Sequence, residues 1–220
     1  NLTAWVAYAS KSYSPRRLVS GMRNIWKISE VENPKAYHNV MPGLFPERLS
    51  GETFKSRGMA MSPWMPPTYL WLAFEGLLGL EPSPDGVRVN PHVPQDWKWI
   101  GARDIPIMGT SLTCFYHRRT LYASVPIASR GDCVVLDEDV SRYVESDAPF
   151  VAALKDERQT LVFVGTDRFG TFDVHLKPPL VDEPERQTIT LDAGDSRLIR
   201  VRLGKNGKTR SSARRVAGNQ

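Results

Sequence analysis

The stretch PTYLWLAFEGLLGLEPSPDGVRV, residues 67–89, contains the point at which the chain changes from helical to strand-like patterning. Before the acidic, proline-bearing turn EPSPDG at residues 81–86, apolar residues recur at the spacing of an amphipathic helix. After that turn, apolar and polar residues alternate as they do along half-buried strands. We therefore predict a helical part over residues 1–80 and a β-rich part over residues 81–203.

Three helices are predicted in the first part, over residues 2–10, 15–30 and 67–80. Pro15 and Pro67 suit first-turn positions, where the missing N–H costs nothing. In the second helix one face is predicted to face the core, and it consists of Leu18, Met22, Ile25, Trp26 and Ser29.

The second part is predicted to contain nine short strands separated by clusters of Gly, Pro, Asp and Asn. They cover residues 87–93, 100–107, 111–118, 120–127, 132–138, 160–166, 171–177, 187–193 and 196–203. Many short strands with alternating patterning are typical of an antiparallel β-sandwich. The predicted fold class is accordingly α+β in two parts.

The net charge of +5 comes entirely from the last residues of the chain. Residues 204–220 contain Lys205, Lys208, Arg210, Arg214 and Arg215 and no acid. Cations and acids balance in residues 1–203, which does not favour nucleic acid as a partner. A short Gly/Ser-containing basic segment is typical of a solvated end, so we expect residues 204–220 to form a basic disordered tail.

The apolar runs, cysteines and histidines of the sequence limit the class of protein to which the chain can belong. The longest apolar run, near residues 69–80, is interrupted by Glu75 and too short to span a bilayer, so no membrane partner is expected. Cys114 and Cys133 form no Cys-x-x-Cys pair, and the four histidines lack metal-ligand spacing. We expect reduced thiols, no metal site and a cytoplasmic protein, with secretion left open because the true N-terminus is expected to lie upstream.

A proline- and glycine-rich segment over residues 31–66 is predicted to be a long loop. Long ordered loops are more often functional than the regular elements they connect. Charged residues alternate here with large apolar ones, which suits the floor of a crevice for a ligand with polar edges and flat apolar faces, such as a sugar. These residues are Glu47, Arg48, Glu52, Lys55 and Arg57, with Phe45, Phe54, Trp64 and Met65 between and beside them.

Four strings of the chain resemble the C-terminal part of the bacterial amylo-alpha-1,6-glucosidase and glycogen-debranching type of six-hairpin glycosidase. They are LTAWVAYA (2–9), ISEVENPKAYHNVMPGLFPERLSGE (28–52), SRGMAMSPWMPPTYLWLAFEGLLGLEPSPDG (56–86) and VNPHVPQDWKWIGARDIPIMG (89–109). The resemblance implies that residues 1–80 are the last hairpins of an (α/α)6 barrel. It implies that the β-sandwich over residues 81–203 is an accessory domain.

The family's last catalytic carboxylate commonly lies in a loop reading Ser/Pro-Glu-x-Phe-Asp-Gly, and residues 46–51, PERLSG, stand at that position. Glu47 matches the carboxylate, whereas Leu49 and Ser50 depart from the usual Phe and Asp. The resemblance implies that Glu47 is the general base of an inverting hydrolase.

Four further residues of the chain are candidate substrate-binding side chains. Tyr37 and His38 are candidates for the crevice wall, Arg57 for binding substrate hydroxyls and Trp64 for stacking on a sugar ring. From the residues alone, several roles stay open. Glu47 could cap a helix or form a surface ion pair, and Arg57 could pair with Glu47 or Glu52. Trp64 could stack on a sugar ring or plug the top of the core.

By resemblance, the expected function is that of a C-terminal fragment of an inverting glycoside hydrolase acting on α-linked glucans or related oligosaccharides. The expected partners are an oligosaccharide or polysaccharide substrate and the missing N-terminal barrel hairpins of the same polypeptide. Those hairpins would supply the general acid, so the fragment is expected to be inactive alone. No cofactor is expected. A disaccharide phosphorylase of the same barrel type and a non-catalytic carbohydrate-binding or scaffold module are the alternatives.

Overall fold

The computed structural model describes residues 2–29, 63–84, 86–202 and 210–212. The chain divides into two compact units. The first consists of Asn1–Glu81 and Val89–Pro94, and the second of Pro82–Arg88 and Gln95–Gln220. Residues 89–94, which were predicted as part of a strand, therefore group largely with the helices. The described part is a mixed α+β protein, with few helices and many strands.

The helical unit contains α1 (Leu2–Ala9), α2 (Pro15–Ser29) and α3 (Met65–Trp71), and α3 runs directly into a π-helix over Leu72–Leu78. Helix α2 begins at Pro15 as predicted. The third helix begins at Met65, two residues before the predicted start. Its C-terminal half is a π-helix, which apolar periodicity does not distinguish from an α-helix.

Small residues let α1, α2 and the π-helix approach closely. A Cβ on Gly21 of α2 would lie 2.7 Å from the Cβ of Ala7, and one on Gly76 would lie 3.3 Å from a methyl group of Leu18. The predicted core face of α2 is confirmed at Leu18, Met22 and Ile25, which are buried. The prediction was wrong for Trp26, whose side chain is 45% exposed.

The strands fall at regular intervals through the rest of the chain, and each predicted strand overlaps an observed one. They are β1 (Leu80–Ser83), β2 (Gly86–Val89), β3 (Trp99–Ile107), β4 (Thr110–His117), β5 (Thr120–Ala123), β6 (Asp132–Val135), β7 (Glu138–Asp139), β8 (Val144–Ser146), β9 (Phe150–Lys155), β10 (Gln159–Gly165), β11 (Gly170–Leu176), β12 (Glu185–Leu191), β13 (Ser196–Arg202) and β14 (Arg210–Ser212). The prediction missed β1, β8, β9 and β14, and the strand predicted over residues 132–138 covers β6 and the first residue of β7. Strand β9 was missed because its apolar residues form a run rather than an alternation.

Within the described residues the strands form four sheets. Strands β1 and β2 form a two-stranded sheet, and the larger sheets have the orders β3-β4-β5-β6, β14-β13-β10-β9-β7 and β12-β11-β8. Pairing in the three larger sheets is antiparallel, except that β5 and β6 are parallel. Within the described ranges, no helix is long and apolar enough to cross a membrane.

The five-stranded sheet has a core on each face. Successive side chains of a strand point to opposite faces, and β10 is buried along nearly its whole length. Val162 and Val164 of β10 pack in a cluster with residues of the three-stranded sheet. Leu161 and Phe163 pack in a second cluster, with Phe115 of the four-stranded sheet. The second unit is therefore layered around β10.

Aromatic rings join the four-stranded sheet to the five-stranded sheet. The ring centroid of Phe163 lies 4.6 Å from that of Phe115 in a stacked arrangement. It also lies 5.6 Å from the Trp99 ring and 5.9 Å from the Phe150 ring. Trp99 covers the backbone of Gly165, where an added Cβ would lie 2.8 Å from its ring. Such ring pairs add to the stabilisation from buried area.

The two cysteines are free thiols. Cys114 of β4 is fully buried, and burial together with the nearby Cys133 raises the pKa of its thiol to about 12. Cys133 on β6 is only partly buried, and burial raises its pKa as well.

The structure differs from the predicted disordered tail at three residues. Arg210–Ser212 form β14, which pairs antiparallel with β13 so that Arg200 lies opposite Ser212. Backbone hydrogen bonding to a sheet edge does not depend on side-chain type, so a Gly/Ser/basic composition did not reveal it. The remainder of the predicted tail lies outside the described residues.

We predict that Phe163→Ala lowers the free energy of unfolding by about 3–5 kcal/mol, because it removes a fully buried ring that touches four others. Urea denaturation followed by far-UV circular dichroism measures the loss. Phe169→Ala is the matched control, since Phe169 is 69% exposed, and a change within about 0.5 kcal/mol is expected there. Equal losses of unfolding free energy in the two variants would contradict the burial of β10 on both faces.

Candidate functional site

Of the five predicted site residues, only Trp64 lies in the described part of the chain. Glu47, Tyr37, His38 and Arg57 lie outside the described residues. Their proposed roles remain predictions from sequence. The geometry of the candidate site is therefore built from Trp64 and from the helices around it.

Trp64 lies at the N-terminus of α3 with its side chain 65% exposed. The suggestion that it plugs the core is wrong, and it is the buried Met65 beside it that packs inward. The carbonyl oxygen of Trp64 accepts hydrogen bonds from the backbone N of Thr68 at 3.2 Å and from its Oγ1 at 2.7 Å. These bonds hold the backbone of Trp64, and its ring is exposed.

A second cluster lies between α1 and the π-helix, and the sequence analysis did not identify it. The rings of Tyr8 and Trp71 stack at 3.9 Å. Lys11 Nζ lies 4.2 Å from the centre of the Tyr8 ring. Lys11 donates to the Tyr8 hydroxyl at 2.8 Å, to Glu81 Oε1 at 3.3 Å and to the carbonyl oxygen of Glu75 at 3.4 Å. Lys11 therefore joins α1 to the end of the π-helix.

The charge of Lys11 is stabilised despite its partial burial. Burial alone lowers the pKa of Lys11, but the hydrogen bonds with Tyr8 and Glu81 outweigh it and raise the pKa above 10.5. The carbonyl that Lys11 contacts belongs to the last turn of the π-helix, where carbonyl oxygens lack partners within the helix. A cation at this end of a helix is favourable because of the helix dipole.

The carboxylate of Glu75 is held in place within the π-helix. Its Oε2 accepts a hydrogen bond from the indole Nε1 of Trp71 at 2.7 Å. π-helical turns are rare and occur frequently at functional sites. The only sequence signal for this residue was a single acid in an apolar run, and its contact with Trp71 follows the i, i+4 spacing of a helix surface.

In the second unit, a serine and a histidine link two sheets. His117 Nδ1 of β4 lies 2.9 Å from Ser196 Oγ of β13. The His117 ring meets Phe163 edge-on at 5.7 Å. The neighbouring Asp195 pairs with Lys98 at 3.1 Å. Burial, assisted by Arg118 and opposed by Asp195, lowers the pKa of His117 from 6.5 to about 4.

This Ser–His–Asp grouping does not suit nucleophilic catalysis. Ser196 is buried, so a substrate has little access to its hydroxyl. A histidine with a pKa of about 4 is a weak base, whereas efficient general bases have pKa values near the working pH. The pair is therefore a neutral hydrogen bond between the four-stranded and five-stranded sheets.

Comparison of the chain with family models, with curated proteins and with solved structures finds no match in any of the three. Among the described residues, no three His, Cys, Asp or Glu side chains lie close enough together to hold a metal ion. Any functional assignment therefore depends on the chemistry of the chain's own residues.

We predict that the second unit loses stability as the pH falls from 6.5 toward 4, because unfolding frees His117 to take up a proton. The folded pKa of about 4 lies below the unfolded value of 6.5, so the stabilising effect is complete above pH 6.5. Midpoints of urea denaturation measured at pH 7 and at pH 5 report this loss of stability. His117→Gln should reduce the difference between the two midpoints.

His175→Gln is the control for this experiment, since His175 lies on β11 in the three-stranded sheet, away from the Ser196 contact. The control should keep the pH dependence of the unaltered chain. Glu145 and Asp173, whose pKa values are lowered below 4.5 and 3.8 by Lys177 and Arg186 respectively, contribute only at lower pH. An unchanged pH dependence in His117→Gln would contradict the assigned protonation.

Proposed function

We propose that the chain is part of an inverting glycoside hydrolase of the six-hairpin type, acting on α-linked glucans or related oligosaccharides. The observation that carries the proposal is the PERLSG string at residues 46–51, which precedes an exposed Trp64 at the start of α3. Glu47 is the general base in this proposal. Arg57, Tyr37 and His38 bind the substrate.

The chemistry requires a second carboxyl group. Inversion needs a protonated acid for the leaving oxygen and an ionised carboxylate that takes a proton from water on the opposite face of the sugar. The two groups stand about 6.5–9.5 Å apart in such enzymes, which leaves room for the water. Glu47 activates the water, and a helical hairpin outside this chain supplies the acid.

The surface of α1 supports the presence of further helices. The sequence of α1, LTAWVAYA, contains no charged residue, and a helix that is apolar all round is typically buried on all sides. Ala4 and Ala7 are buried, but Trp5 and Val6 on the other side are 68% and 66% exposed. We propose that other hairpins of an (α/α)6 barrel cover Trp5 and Val6.

The exposed ring of Trp64 supports a role in binding sugar. Aromatic rings offer an apolar face to the C–H side of a sugar ring. Met65, the residue next to Trp64, is buried at the start of α3. Held at the start of a helix, the ring is positioned before the ligand arrives. In this proposal Trp64 forms one wall of the crevice in which Glu47 acts.

The layered β-unit supports a stabilising role, as a sandwich-like accessory domain. Its aromatic cluster is occupied in joining sheets, and Trp99 packs against Phe150 and Phe163 rather than standing open as a sugar platform. Acid–base hydrolysis of this kind uses no cofactor.

One alternative is favoured by a specific observation. The exposed Trp64 would serve a non-catalytic carbohydrate-binding module equally well, since stacking needs no carboxylate pair. A phosphorylase is less favoured because phosphate attacks without a general base, which leaves Glu47 without a role. Binding without turnover identifies the first alternative, and turnover that requires added phosphate identifies the second.

In the enzyme that includes the further hairpins, we predict that Glu47→Gln lowers kcat by about two to four orders of magnitude with little change in substrate affinity. The amide keeps the size of the side chain but cannot take a proton from water. Release of reducing ends from malto-oligosaccharides measures turnover. Glu52→Gln, five residues along the same segment, is the control and should retain activity within a few-fold. A fully active Glu47→Gln enzyme would remove the assignment.

For the 220-residue chain itself, we predict that Trp64→Ala weakens binding of malto-oligosaccharides by about five- to tenfold, the loss expected for one aromatic contact. Titration followed by NMR or calorimetry measures the affinity. Trp5→Ala is the control, because Trp5 is equally exposed but lies on α1. If the two variants bind alike, Trp64 is not a stacking residue.

A further inference from the structure

Helix α2 presents an exposed basic face. Its buried face consists of Leu18, Val19, Met22 and Ile25. The opposite face carries Ser20, Arg23 and Lys27 at i, i+3 and i+7, with Arg16 one turn before Ser20. All four are exposed.

The charge of this region is one-sided. Residues 1–29 contain Lys11, Arg16, Arg17, Arg23 and Lys27 and no Asp or Glu. Although charges balance over residues 1–203, the helical hairpin at residues 1–29 is therefore strongly basic. In the part of the chain that the structure describes, Arg23 and Lys27 form no ion pair.

An apolar edge runs beside the basic stripe. Trp26 lies between Arg23 and Lys27 in sequence and is 45% exposed. Its ring centroid is 5.6 Å from that of Tyr69 on α3. Leu70, the next residue of α3, is also exposed. An exposed tryptophan therefore accompanies the cations on α2, and its ring contacts α3.

We propose that this surface binds an amphipathic acidic α-helix of a protein partner. Arg23 and Lys27 lie four residues apart, about 6 Å along the helix axis, and Ser20 continues the same line. Carboxylates at i, i+4 and i+7 on a neighbouring helix would have the same spacing as Lys27, Arg23 and Ser20. Oppositely charged side chains pair in this way along the edges of coiled-coil helices. The apolar side of the same partner helix packs on Trp26 and Leu70.

The mixture of residues favours a helix over a flexible polyanion. A nucleic acid or an acidic polysaccharide uses cations along its whole length, and its affinity comes mainly from phosphate or carboxylate charge. Here three of the four exposed cations of α2, Arg16, Arg23 and Lys27, lie along one line, and the exposed Trp26 follows on the same helix. An amphipathic helix satisfies both kinds of side chain at once.

The probe is an Ala-rich synthetic peptide of about 18 residues that carries Glu at i, i+4, i+7 and i+11 beside a line of Leu. Fluorescence anisotropy with the full 220-residue chain measures its affinity. We expect binding that weakens when salt is raised from about 50 to about 300 mM, since the charges are exposed. NMR shifts on addition of the peptide should map to residues 16–27 and to Leu70.

Arg23→Glu/Lys27→Glu should weaken peptide binding by about tenfold or more, because attraction becomes repulsion. Arg158→Glu/Arg168→Glu, a matched pair of exposed arginines in the second unit, should change it less than about twofold. Trp26→Ala tests the apolar edge and should also weaken binding. Thermal denaturation of each variant separates loss of binding from loss of fold.

Three outcomes would overturn the proposal. They are equal binding of a scrambled peptide of the same composition, an unchanged affinity in Arg23→Glu/Lys27→Glu, and binding of heparin or an oligonucleotide with none of the peptide. The last outcome would identify the surface as a general polyanion site. No sugar is involved in the measurement, so its failure and the failure of the proposed hydrolase are distinguishable.

Discussion

The second unit depends on the burial of β10 on both faces. Its neighbours β9 and β13 satisfy its backbone hydrogen bonds, while Phe163 and Val162 point into separate cores on opposite sides. Because the strand has no solvent-facing side, each sheet that packs on it is positioned by the same short segment. The hydrogen bond between His117 and Ser196 and the ring contacts of Trp99 are further links across one of these two interfaces.

The helical unit depends on a different kind of contact. Here a charged side chain, Lys11, satisfies a carbonyl oxygen at the end of the π-helix and a carboxylate on Glu81. Burial of apolar area alone has no direction, so directional contacts add to the close approaches at Gly21 and Gly76. A hydrogen-bonded cation fixes the register of α1 against the segment that begins at Trp64.

Much of the fold could be predicted from sequence because periodicity reports which faces are buried. The start of α2 and the positions of nine strands followed from proline placement and alternation. Strand β9 and the two-faced burial of β10 could not be predicted in this way, since a run of apolar residues fits a strand or a helix equally well. The Lys11 cluster was missed because its members are distant in sequence, and only the packing of α1 brings them together. Of the candidate site, the structure describes Trp64, and it corrects the suggested core role of that residue.

The free cysteines have a practical consequence for measuring motion in this protein. A thiol reacts as the thiolate, and Cys114 is both fully enclosed and has a pKa raised to about 12, so a labelling reagent modifies it only after β4 separates from its neighbours. The rate of that modification then counts how often the four-stranded sheet opens under native conditions. Labelling of Cys114 therefore reports local opening of the sheet, whereas the partly exposed Cys133 on β6, two strands away, reacts without it.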